Sequence, residues 1–236
     1  MAAELDDAGL ERHPRARGRT LEDQRHHGAG QRVGGTGGGL QLGRALQEVP
    51  PWWPGALGRR AGAIEEHVLT SRNALPALRR KLARRRPDLM KSNGGGANAI
   101  LVRRGSIDAH RARRLRSWPE RRCVHAVRLD SGVWVGNLHA QVHSAARAAE
   151  DITRAAAALR EWAKDSPYVL GGDLNVREPR VPGLVHAGGH GVDHVLASGL
   201  AAAATPVVLD RGSLSDHAPV VVELSLNGAP GGKDRR

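Results

Sequence analysis

The stretch YVLGGDLNVRE, residues 168 to 178, ends an apolar run on an acid and an amide two positions apart, Asp173 and Asn175. Two later stretches have the same layout: GVDHV carries Asp193, and SDHAPV carries Asp216 beside His217. Further upstream, Glu48 sits in LQEV, while Asn137 and His139 sit in NLHA. Strand ends are where a scaffold can hold polar side chains rigidly at the mouth of a cleft, and these groups recur at such places. A hard divalent cation takes oxygen ligands, commonly one or two carboxylates with waters and substrate phosphates completing the shell. Glu48 assisted by Asp216 suits Mg²⁺, with Mn²⁺ as the alternative ion. An Asp beside a His fixes the imidazole tautomer and stabilises its charged form, a role for Asp193 with His217. Asp173 is then free to orient or deprotonate an attacking water, and Asn175 to donate to a phosphate oxygen.

Each group taken alone has a plainer reading. Asp173 and Asn175 are turn formers, Asp216 a loop cap and His217 a surface histidine. His139 and His143 have the i, i+4 spacing of a zinc-binding helix, but HAQVH lacks the accompanying Glu and Asn137 belongs to a strand, which argues against zinc. Ser215, Asp216 and His217 are consecutive, so they cannot form the spatial triad of a serine hydrolase. The GGTGGG run at 34 to 39 lacks the Lys-Ser/Thr of a phosphate-binding loop and reads as a linker.

The elements that must carry these residues are a mixture of strands and helices with mostly short links. RALQEVP ends a strand, and LPALRRKLARRRPDL (75 to 89) spaces Leu75, Leu78 and Leu82 as a helix that stops near Pro87. AILVRR (99 to 104) is a strand, and CVHAVRL (123 to 129) with GVWVGNL (132 to 138) forms a hairpin about Asp130 and Ser131. Residues 144 to 165 make the clearest helix, capped by Ser144 and with Ile152, Ala156 and Leu159 on one side. YVLGG, DHVLAS and APVVVELSL are strands, with TPVVLD (205 to 210) a weaker one. Strands outnumber helices, which favours a layered sheet core over a regular βαβ alternation.

LQEV, NLHA, GGDLN, GVDHVLAS and SDHAPV occur in the order and approximate spacing of the endonuclease/exonuclease/phosphatase superfamily, and the chain resembles it from about residue 45 to 226. The resemblance implies a four-layered α/β/β/α sandwich: two packed, mainly antiparallel sheets flanked by helices, with the active site at one end. It also implies Mg²⁺-dependent hydrolysis of a phosphodiester or phosphomonoester. Carried over residue by residue, Glu48 resembles the metal-binding glutamate and Asp216 joins it. His139 resembles the histidine that contacts the scissile phosphate, with Asn137 and Asn98 as phosphate-binding companions. Asp173 and Asn175 match the pair that positions water and phosphate, Asp193 the aspartate supporting the last histidine, and His217 that histidine. Members begin with a strand that ends in an Asn-bearing motif, and residues 1 to 44 contain no Asn. The N-terminal strand is therefore expected to be missing, and the alternative to an enzyme is a truncated or inactive member that binds nucleic acid or phosphate electrostatically.

Composition bounds the rest. At 236 residues the chain suits one domain. Residues 1 to 44 hold Gly, Arg and His with few β-branched residues and no apolar period, a mixture that out-of-frame translation of GC-rich DNA also yields. They read as a disordered or non-native segment, residues 45 to 226 as the domain, and 227 to 236 as a polar tail. The single cysteine, Cys123, excludes an internal disulfide and any cysteine-based zinc site. Neither a run of apolar residues long enough to span a membrane nor a signal peptide is visible, so a cytoplasmic location is expected. The net charge of +12 lies wholly in the middle, where residues 45 to 130 carry 19 basic against 7 acidic side chains. Runs such as RRKLARRR (79 to 86) and RARRLRS (111 to 117) attract phosphates or form solvated faces, and they tilt the expected substrate toward nucleic acid.

Overall fold

A computed structural model of the chain describes residues 31–35, 41–70, 96–212 and 215–226. Its strands form two sheets that pack face to face. The first holds β1 (Gln31–Gly35), β2 (Gln41–Val49), β3 (Ile64–Leu69), β4 (Ala97–Val102), β11 (Leu200–Ala202) and β13 (Val220–Leu226), in the order β11-β13-β1-β2-β4-β3. The two-residue β12 (Val207–Val208) pairs with β13 where TPVVLD suggested a strand. The second sheet holds β5 (Ile107–Arg116), β6 (Arg122–Leu129), β7 (Trp134–His139), β8 (Tyr168–Asp173), β9 (Val185–His190) and β10 (Asp193–Ser198), in the order β5-β6-β7-β8-β10-β9.

Between the sheets lies an aliphatic core that includes Ile100 and Val102 of β4, Val127 of β6, Val169 of β8, Val195 of β10 and Val222 of β13. Helix α1 (Pro54–Ala61) lies outside the first sheet, where Leu57 packs on Leu46, Val49 and Leu101. Helix α2 (Ala145–Ala163) covers the outer face of the second, burying Ile152, Ala155, Ala156 and Leu159 against Val124, Leu138 and Leu170. Burial of Leu159 or Ile152 stabilises by about 1.5–3 kcal/mol each. The layers are those of an α/β/β/α sandwich. Strands β4, β6, β7 and β8 are covered on both faces, so their apolar residues run almost continuously rather than alternating.

Helix α2 starts where Ser144 accepts a hydrogen bond from the Arg147 N–H at 3.3 Å. It is the crossover that a parallel pair requires, and β7 and β8 are parallel. Gly136 of β7 lies beneath it, since a Cβ there would come within 2.6 Å of Leu159 Cδ1.

The expected loss of the N-terminal strand is corrected by β1. Gln31–Gly35 pairs in parallel with β13 and antiparallel with β2, inside the sheet. Sheet structure thus begins before residue 45, and 41–44 belong to β2. One β-branched residue, Val33, beside one glutamine, one arginine and two glycines gives QRVGG little propensity of its own, and pairing with β13 and β2 supplies what the sequence does not. Strands β3, β5, β9 and β11 and helix α1 also went unpredicted. In β5 the alternation of Ile107, Ala109 and Leu115 is obscured by four arginines and a histidine. The expected helix at 75–89 lies outside the described residues. Among the described residues no helix is long and apolar enough to cross a membrane.

Candidate active site

Topology brings the polar strand ends together. Because β7 and β8 are parallel and in register, their last residues, His139 and Asp173, are side by side. Strand β10 runs antiparallel to β8, so its first residue, Asp193, also pairs with Asp173. Strand β6 runs antiparallel to β7, which places its first residue, Arg122, at that same end. In the facing sheet, Glu48 is the penultimate residue of β2, at the end of the sheet where β13 begins close behind His217. These ends come from strands 48 to 217 in the chain, and no local pattern could have joined them.

Glu48 owes its position to a bulge. Leu46 pairs with Ala99 and Val49 with Ala97, so β2 spends one residue more than β4 over this interval. Leu46 and Val49 consequently both face α1, Gln47 turns inward, and Glu48 leaves the sheet with φ of 55° and a side chain 72% exposed. Beside the bulge, the carbonyls of Leu46 and Ala99 accept hydrogen bonds from a side chain of the facing sheet. Asn137 of β7 takes both, its Nδ2 donating at 2.9 and 3.0 Å, and its Oδ1 accepts from Gln47 Nε2 at 2.7 Å.

The site has one acidic and one basic pole. His217 Nδ1 donates to Asp193 Oδ2 at 2.7 Å, which fixes the tautomer. This bond, with the charges of Asp193, Asp173 and Asp216, raises the His217 pKa to about 9, so the ring is an imidazolium at neutral pH. Burial and the nearby Asp193 carboxylate push Asp173 up to about 6. Partial desolvation by the surrounding protein, with Glu120 and Asp216, raises Glu48 although its side chain reaches solvent, against the lowering effect of Arg122 and His217. His139 lies 3.5 Å from both Glu48 Oε1 and Asp173 Oδ2, and burial with the charges of Arg122 and His217 lowers its pKa to about 3, leaving it neutral. Asn175, at φ of 51°, donates its N–H to Asp173 Oδ1 at 3.0 Å and its side-chain amide to Ala140 O at 3.1 Å. One amide proton of its NH₂ remains for an oxygen of a ligand.

Among the described residues, no three His, Cys, Asp or Glu side chains form a preassembled metal cage. The donor set nevertheless fits a hard cation. Glu48, Asp173 and Asp216 offer oxygen atoms, two of these acids are pushed up partly by their neighbours, and buried Asp193 Oδ1 has no hydrogen-bond partner in the chain. A cation held by one or two carboxylates and otherwise by waters and phosphate needs no more than this.

A family model for the endonuclease/exonuclease/phosphatase family matches residues 45–217. The chain belongs to that family.

As a family member it also shares its fold with solved structures. A conserved protein of unknown function from Enterococcus faecalis V583 superposes with a TM-score of 0.58 at 15% identity, over 77% of this chain and 84% of that one. An endonuclease/exonuclease/phosphatase from Beutenbergia cavernae DSM 12333 gives 0.52 at 20% identity, over 78% and 62%. Truncated TDP2 from Caenorhabditis elegans gives 0.51 at 15%, over 75% and 81%. At such identities the likeness is one of fold. No curated protein matches the sequence.

Glu48, His139, Asp173, Asn175, Asp193, Asp216 and His217 are thus neighbours in this family member, while the two remaining candidates are placed elsewhere. Asn137 is 0% exposed and its amide is committed between the sheets, so it holds the bulge rather than a phosphate. Asn98 points into the same interior, fully buried and with no hydrogen-bond partner for its amide in the chain, and is closed to a ligand. Both amides look like ligand groups in one dimension because inward and outward positions differ by a single residue in a strand. Sequence reasoning missed Arg122, buried at the start of β6 and ion-paired with Glu120. Its positive charge acts on both Glu48 and His139. In the sequence it is one more arginine in a basic region, and only the pairing with the end of β7 singles it out.

Two of the four arginines in the basic run at 111–117 are ion-paired. Arg113 makes a two-pronged pair with Glu161 at 2.7 and 2.9 Å, and Arg116 pairs with Asp151 and Glu150 at 3.0 Å each. RRKLARRR lies outside the described residues.

Proposed function

We propose that this family member is a metal-dependent phosphoesterase that uses Mg²⁺, or alternatively Mn²⁺, to hydrolyse a phosphate ester by direct attack of water. The observation that carries the reading is the meeting, at one end of the sandwich, of an exposed carboxylate on a bulge, a carboxyl poised near neutrality and an Asp-held imidazolium. Glu48 with Asp216 would hold the cation, which when bound neutralises charge on the phosphoryl oxygens.

Asp173, ionised above pH 6, orients the water and accepts its proton as the oxygen closes on phosphorus and the ester P–O bond breaks. His217 donates to a phosphoryl oxygen where negative charge accumulates, and Asp193 keeps it protonated for that purpose. Asn175 donates its remaining amide proton to another phosphoryl oxygen, and neutral His139 offers a ring N–H beside them. No covalent enzyme intermediate is required. Nucleic acid is the favoured substrate because of the +12 charge, although the pairing of Arg113 and Arg116 removes part of that support.

The test is Mg²⁺-dependent hydrolysis of bis-p-nitrophenyl phosphate and nicking of plasmid DNA. Both should vanish with EDTA and fall at least ~100-fold in Asp173→Ala. A second reading, an inactive member that binds phosphates electrostatically, is favoured by the absence of Asn from β1. Salt-sensitive DNA binding with no turnover by the wild type would select it.

A further inference from the structure

Trp118 is 68% exposed, the most exposed of the large apolar side chains among the described residues. This indole stands beside the candidate site. It belongs to the loop that leads into Arg122, whose neighbour Glu120 acts electrostatically on Glu48. Strand β6 pairs with β7 so that this loop lies next to residues 140–144, which follow His139 and include the exposed Val142. Arg147, in the first turn of α2 just beyond the second loop, reaches the first, its guanidinium 5.6 Å from the centroid of the Trp118 ring. One face of the indole is therefore occupied by a cation. With two thirds of the residue in solvent, the opposite face is open.

An aromatic plate backed by a guanidinium, one loop away from a phosphate-handling cluster, is the pairing that holds a base whose own phosphate is being handled. We propose that Trp118 is a stacking platform for a nucleobase of single-stranded nucleic acid next to the scissile phosphate, with Arg147 fixing the ring from behind. This rests on the phosphoesterase reading above and narrows its substrate class. A lipid surface is disfavoured as occupant because only Trp118 and Val142 are exposed apolar side chains on these two loops, too few to enter a bilayer.

The experiment separates stacking from charge and from turnover. Full-length protein in EDTA is titrated by fluorescence anisotropy against a labelled 12-nucleotide single strand and against an abasic strand of equal charge. The wild type should prefer the base-bearing strand. Trp118→Ala should weaken that strand by roughly 5- to 100-fold, and the abasic strand hardly at all, while Trp118→Phe keeps most of the preference. Equal affinity of the wild type for the two strands, no binding of either, an equal loss of both in Trp118→Ala, or Trp118-dependent binding to phosphatidylcholine vesicles in place of the base preference would each overturn the proposal. Turnover of bis-p-nitrophenyl phosphate by the wild type is scored separately. Its absence would remove the phosphoesterase reading, whereas a failed base preference with turnover intact removes only the stacking platform.

Discussion

Replacing Asn137 tests the link between sheet packing and the site. Its side chain makes three buried hydrogen bonds, to the carbonyls of Leu46 and Ala99 and from Gln47 Nε2. In Asn137→Ala, two main-chain acceptors and one amide donor lose their partner in a region with no access to bulk water. Each such group costs about 1–3 kcal/mol, and after partial relaxation the variant should lose roughly 3–5 kcal/mol of stability. That is a large fraction of the roughly 5–15 kcal/mol that holds an ordinary domain together. Asn137→Asp keeps the size but faces two carbonyls with acceptor oxygens, and should lose at least as much. Gln47→Ala removes one of the three bonds and should cost about 1–2 kcal/mol. The assay is equilibrium urea unfolding in EDTA, followed by tryptophan fluorescence and far-UV circular dichroism. A double-mutant cycle with Gln47→Ala should show coupling of about 1 kcal/mol, because the two side chains share a bond. Stability of Asn137→Ala within about 0.5 kcal/mol of wild type, accompanied by a fall in turnover, would refute this reasoning and return Asn137 to the phosphate.

Three further outcomes follow from the charges and backbone of the site. In Asp193→Asn the His217 pKa should drop from about 9 toward the ordinary histidine value, read from its imidazole resonances in metal-free protein. The folded pKa is raised, so the pair's stabilisation is complete below about pH 6.5 and lost as pH rises through 9. After screening of this partly exposed ring it is worth about 1–2 kcal/mol, and the variant's stability should not change across that window. Asp173 also has a raised folded pKa, about 6 against 3.8, so its protonated form favours folding below pH 4 and that benefit disappears as pH climbs through 6. Wild-type stability in EDTA should therefore fall by about 3 kcal/mol over that range relative to Asp173→Asn, as measured by urea midpoints at successive pH values. Gly172→Ala should destabilise by more than about 3 kcal/mol and yield little soluble protein, because its Cβ would lie 1.8 Å from Leu138 O at a φ of 140°.

The sequence by itself determined which side chains are candidates for the chemistry and most of the strands beneath them. GGDLN, GVDHV and SDHAPV each place an acid just beyond an apolar run, and a strand of such residues keeps its local form wherever it packs. Helix α2 was legible for the same reason: its cap and its apolar face are set by residues within one or two turns of one another. Strand β1 was not legible, since QRVGG becomes a strand only between two neighbours distant in the chain. Nor were the roles of Asn137, Asn98 and Arg122. Whether an amide meets a ligand or a carbonyl depends on which face of its strand it occupies and what the opposite sheet presents there. The tertiary structure alone decided that Glu48 turns outward, through one extra residue in β2 that Asn137 holds in place, because a bulge is a mismatch between two strands and exists in neither of them separately.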